Sequence, residues 1–283
     1  MQRVQLQGHR KLCPQPNIRP TGSLNPSSSL FGGYDRCTLE SVDLSQLTDA
    51  VDNIGDQDLI TVFWAAVVIS LVLPRLPYGR SILYPFALLA TWAHEMGHGL
   101  TAILAGGRFR RLEIHRDLGG MAWSSGVGRL GRALVAAGGL LAPACAGGLI
   151  IVLGARQSTA PFILIGLAVS VLASIVLFVR NRFGIIALGL ISLLLVPLAV
   201  RAPETVRVFV AQLVGIQFCV ASWGSLDYMF TKNFRHQSGR VIDSDTQTIA
   251  AVLLLPYWFW GGLIAAISLA ILAGSFYVAW IMP

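Results

Sequence analysis

Residues 83–104 read LYPFALLATWAHEMGHGLTAIL. Apart from His94, Glu95 and His98 the stretch carries no acid, basic residue or imidazole. At about 1.5 Å rise per residue it is long enough, as a helix, to cross a hydrocarbon core of about 30 Å. An ionisable residue inside a bilayer costs about 2.5 kcal/mol or more and rarely persists without a role. His94 and His98 stand at i and i+4, so on a helix both rings project from one face and can bind one ion. Glu95 is placed to reach a water on that ion and act as a general base. With five His and four Glu in the chain, a chance H-E-x-x-H is expected about once in a thousand such compositions.

The rest of the chain fits a membrane setting. Its 283 residues are 54% hydrophobic and 12% charged, against about 25% charged in average soluble domains. A soluble globular enzyme, a disordered chain and a secreted disulfide scaffold are therefore excluded. The cysteines Cys13, Cys37, Cys145 and Cys219 form no C-x-x-C pair, which argues against a thiolate metal site. The net charge of +7 comes from basic residues scattered singly between apolar runs. That is the pattern of cytoplasmic loops rather than of a nucleic-acid surface, so no nucleic-acid partner is expected.

Residues 1–57 form a polar tail rich in Pro, Ser, Asn and Gly, expected to be disordered; it lacks the apolar core of a signal peptide. Seven apolar stretches follow, at about 59–73, 82–104, 133–153, 160–179, 183–200, 208–230 and 253–281. The first is short and ends at Pro74-Arg75, so it either dips into the bilayer or crosses it. In the last, Trp258 and Trp260 stand about 33 Å from Trp280 along a helix, a spacing suited to anchors at both interfaces. The expected fold is an all-α integral membrane protein, a polytopic bundle of six or seven transmembrane helices over residues 58–283. If all seven stretches span, eleven Lys and Arg fall in the loops of one face and five on the other. The positive-inside bias then puts the first face, and the N-terminus, in the cytoplasm, with a plasma or inner membrane as the expected location. Gly138-Gly139, Ala142, Ala146 and Gly147-Gly148 have a small-residue spacing that lets helices approach closely.

An open zinc site needs a third protein ligand. Besides His94, Glu95 and His98, the one acid or histidine within the long apolar stretches is Asp227. Depth supports it. His98 is about 9 Å, and Asp227 about 4–5 Å, from the same end of their helices. Asp243 and Asp245 are rivals in a polar loop, where an N-cap role at the start of the last helix is the ordinary explanation; Asp245 stands as the alternative ligand. Residues 108–123, RFRRLEIHRDLGGMAW, alternate polar and apolar from Arg111 and break at Asp117-Leu-Gly-Gly. They read as a short β-hairpin at the cytoplasmic face. It is either an edge strand for an unwound substrate or a basic loop on anionic headgroups. His115 and His236 read as a strand residue and a loop residue rather than ligands.

The run HEMGHGLTAILAGGR over 94–108, with weaker support from RNRFG at 180–184, Leu-Asp227-Tyr and Ser244-Asp245, resembles the site-2 protease family of intramembrane zinc metallopeptidases. It is most similar to the compact branch described as peptidase B-like, over about residues 60–283. The larger family has Asp-Gly preceded by an Asn-Pro element at the third ligand, whereas Asp227 is followed by Tyr228. The resemblance implies Zn²⁺ as cofactor and a transmembrane protein substrate cut near the cytoplasmic face. Glu95 would be the catalytic base, with His94, His98 and Asp227 on the metal. Two other readings remain: an inactive membrane scaffold that keeps the fold, and an ion transporter. A transporter would be expected to show matching broken-helix halves, and the sequence has no such symmetry.

Overall fold

The computed structural model of the chain describes residues 56–224, 230, 233–235 and 241–282. The expected tail, up to residue 55, and Asp227 and His236 lie outside the described residues. Helix α1 (Asp56–Val72) runs into a single 3-10 turn at Leu73–Arg75, and α2 (Gly79–Leu104) follows at a bend of 119°. Pro74 cannot donate the next helical hydrogen bond, which ends α1. The reversal is tight: Tyr78 adopts φ +63°, and a Cβ on Gly79 would strike the Leu73 carbonyl.

The hairpin is present. Strand β1 (Arg108–Ile114) pairs antiparallel with β2 (Gly120–Ser125), from Arg108 opposite Ser125 to Ile114 opposite Gly120. Then come α3 (Arg129–Leu153), α4 (Ala160–Leu177), α5 (Arg182–Arg201) and α6 (Glu204–Gly224). A two-stranded ribbon of β3 (Asn233–Arg235) and β4 (Val241–Asp243) leads into the short α7 (Asp245–Leu253). Pro256 separates α7 from α8 (Tyr257–Trp280), so the spanning helix starts four residues into the last apolar stretch.

Helices α3, α4, α5, α6 and α8 are each long and apolar enough to cross a membrane, and α1 with α2 makes a sixth span if the bent pair counts as one. The chain is therefore a multi-pass helical membrane protein, with the first two apolar stretches sharing one bent unit.

Helix α3 is the axis of the packing, and its small residues explain why. A Cβ on Gly138 would hit Thr101 of α2; one on Gly147 would hit the Gly215 carbonyl and Cys219 of α6; one on Gly148 would hit Ser275 of α8. Gly97 of α2 meets Gly138 and Ala142 in the same way. Without a hydrophobic driving force between helices in lipid, such close backbone approach supplies the van der Waals contact that holds them.

The hairpin's turn is tied to α2, where the Tyr84 hydroxyl donates to the Arg116 carbonyl (2.8 Å) and the Thr91 hydroxyl to the Leu118 carbonyl (3.0 Å), and its strands are fastened along the β1 edge. Leu112 N–H donates to the Phe178 carbonyl (2.8 Å), and Arg180 N–H donates to the Leu112 carbonyl (3.1 Å). Asn181 continues the seam, its Oδ1 accepting from Ile114 N–H (3.1 Å) and its Nδ2 donating to the Ile114 carbonyl. Both backbone groups of Leu112 thus point away from β2. Its partner Ala122 is then in a non-hydrogen-bonded pair, and the Ala122 backbone points away from β1, as does that of Gly120 two residues earlier. Among the described residues no strand pairs with that outer edge of β2.

Candidate metal centre

His94 and His98 lie in the second half of α2. The helical period that puts both rings on one face turns Glu95 about 100° away, where it is 6% exposed. The two imidazoles stand edge to face, ring centres 4.6 Å apart, with Nε2 to Nε2 at 3.1 Å.

Helix α3 orients His98. Its Nδ1 lies 2.9 Å from the Val135 carbonyl. A carbonyl only accepts, so Nδ1 carries a proton and Nε2 is the ring atom turned toward His94. Gly139, one turn on, makes room: a Cβ there would collide with the His98 ring. These α3 residues were not legible as site residues, although the Gly138-Gly139 pair was visible as a place of close approach.

The third donor comes from α7. Asp245 Oδ2 is 3.5 Å from His94 Nε2 and 3.4 Å from His98 Nε2. The expected N-cap role falls to Ser244, whose hydroxyl accepts from Gln247 N–H (3.2 Å). With the cap filled by its neighbour, Asp245 is the first residue of the helix and its carboxylate reaches the histidines. Burial alone would raise the Asp245 pKa, but the His98 charge and the hydrogen bonds from both imidazoles outweigh it and hold the carboxyl below the usual range.

His94 Nε2, His98 Nε2 and Asp245 Oδ2 therefore form a triangle with edges of 3.1, 3.4 and 3.5 Å. Three donor atoms on a tetrahedral zinc, with bonds of about 2.0–2.1 Å, lie about 3.3–3.4 Å apart. Lone pairs brought this close repel unless a proton or a metal cation sits among them. The residues present could hold such an ion. Among the described residues this is the one group of three or more His, Cys, Asp or Glu side chains spaced for a metal.

The trio opens into a cleft of about 300 Å³ that Glu95, Gly120, Ala122, Ser124, Arg132 and Thr248 also line. Ala122 gives a backbone hydrogen bond to Glu95, and a Cβ on Gly120 would overlap the Glu95 carboxylate. The outer edge of β2 is thus one wall of the cleft, with the acid against it. His115 is half-buried at the hairpin turn, where its N–H donates to the Gly119 carbonyl (2.8 Å), and it is not part of the trio.

Residues 61–275 match the family model described as Peptidase M50B-like. No curated protein and no solved structure matches the chain.

Proposed function

The chain belongs to the peptidase M50B-like family, and from that membership we propose that it is an intramembrane zinc metallopeptidase cutting membrane-embedded protein substrates near the cytoplasmic face. The observation that carries this reading is the donor triangle, whose edges suit a single tetrahedral ion. His94, His98 and Asp245 would hold the metal. Asp245 takes the place in this reading that depth along the helices gives to Asp227. Bound there, zinc would lower the pKa of a water toward about 7 and polarise a peptide carbonyl.

The remaining work belongs to the chain's own groups. The Val135 carbonyl fixes the tautomer of His98 and keeps its Nε2 free as a ligand. Glu95 takes a proton from the attacking water and returns it to the departing amine nitrogen. A substrate helix hides its amides in its own hydrogen bonds and must unwind before it is cut. The outer edge of β2 can receive the unwound segment as an added strand, which would lay it beside Glu95. The larger share of Lys and Arg in the loops on the hairpin's side supports a cytoplasmic cleft.

Metal content of the purified protein beside single variants tests the ligand set. Wild type and Asp227→Ala should retain about one zinc per chain, and His94→Ala, His98→Ala and Asp245→Ala should lose it. Glu95→Gln should keep the metal while cleavage of a transmembrane reporter falls by a factor of about 10²–10⁴. Cleavage at the wild-type rate in that variant would refute the base, and retained zinc in Asp245→Ala would move the third ligand elsewhere.

A further inference from the structure

Helices α4 and α5 are antiparallel neighbours whose lipid-facing sides part along a groove. Its floor is at Gly189, where an added Cβ would meet nothing within 4 Å. The walls include Leu172 of α4 and Leu193, Val196 and Val200 of α5, and the space between them is about 690 Å³. Leu193 and Val200 are 68% and 63% exposed in the bundle, so the groove faces outward. From Gly189 to Arg201 it follows about 18 Å of helix, close to the roughly 15 Å depth of one leaflet's hydrocarbon.

At Arg201 the character of the surface changes. That residue also lines a second, polar pocket of about 430 Å³, together with Gln157, Glu204 and Arg207. Two arginines and one acid line it, Arg201 and Glu204 exposed and Arg207 half-buried, and no salt bridge among the described residues joins Glu204 to either arginine. The Nε of Arg207 is buried without a hydrogen-bond partner. The charge on Arg207 is only partly solvated, and an anion in the pocket this residue lines would pair with it. The two spaces, joined through one arginine, fit a molecule with an anionic head and a long apolar tail.

We propose that this composite site binds one anionic phospholipid, its phosphate against Arg201 and Arg207 and one acyl chain along the α4–α5 groove. A guanidinium fork matches phosphate oxygens, and basic pockets between spanning helices are suited to lipid headgroups. The site is at the end of α5 far from the hairpin seam at Val179–Asn181, about 30 Å along the helix axis. It stands independently of the metallopeptidase reading.

The full chain in a neutral detergent tests it, by thermal unfolding with dioleoyl phosphatidylglycerol, dioleoyl phosphatidylcholine or inorganic phosphate added. Phosphatidylglycerol should raise the midpoint saturably, and the other two should not. Arg201→Gln combined with Arg207→Gln should weaken half-saturation about tenfold or more. Gly189→Phe, which fills open space on a lipid-facing helix, should weaken the response with both arginines present. Variants are compared at wild-type zinc content, which separates a lost lipid site from a lost fold. Three results would overturn the proposal: an equal response to phosphatidylcholine, the same response to phosphate alone, or a phosphatidylglycerol response that survives in both variants.

Discussion

His98 shows how far a single side chain's role was readable. Its pairing with His94 follows from spacing alone, because the helical period forces the two rings onto one face. Its orientation does not, since the Val135 carbonyl and the gap at Gly139 belong to a helix more than thirty residues later. Asp245 is a similar case. A polar residue at a helix start reads as a cap, and only the placement of Ser244 in that role shows that the carboxylate is turned to another task. The choice between Asp227 and Asp245 depends on how the chain returns after α6, which depth along a single helix axis does not encode. Gly139 gives the sharpest prediction at this scale. Gly139→Val should displace the His98 ring and lower zinc affinity about tenfold or more while α3 still forms, as seen by metal titration beside circular dichroism. Unchanged affinity would mean that the ring has room the coordinates deny it.

Among the elements, helices were the easy part, because an apolar run of spanning length has few other uses. The hairpin was legible from its period-two alternation and its Asp-Leu-Gly-Gly break. What the local pattern could not reveal was that one of its edges is closed by the segment between α4 and α5, a contact some seventy residues away in sequence. Asn181 is the fastener, serving both backbone groups of Ile114. Replacing it with Ala leaves a donor and an acceptor in a half-buried setting, a cost of about 1–3 kcal/mol for each one left unmet. The unfolding midpoint of Asn181→Ala should therefore drop by several degrees. Zinc content should stay at one per chain, because the seam does not touch the ligands. A variant as stable as wild type would show that water replaces the amide without loss.

At the scale of the molecule, the three residues of the candidate metal centre come from two elements, α2 and α7, that are about 140 residues apart and both pack on α3. A metal joining them would act as a crosslink between distant parts of the chain, since ligand binding to the folded state alone stabilises it by mass action. Chelation should therefore lower the unfolding midpoint, and zinc at about a hundred times its dissociation constant should restore about 2.7 kcal/mol. An identical midpoint with and without chelator would separate the trio from the fold's stability. The unpaired outer edge of β2 also bears on how an inhibitor could be shaped. If a guest strand aligns with the outer flank of β2, only every second one of its backbone amides faces that flank, so N-methyl groups on alternate amides of a peptidomimetic would be accepted in one phase and barred in the other. Inhibitors of the proposed peptidase would then be selected by backbone phase, without a group that binds a metal.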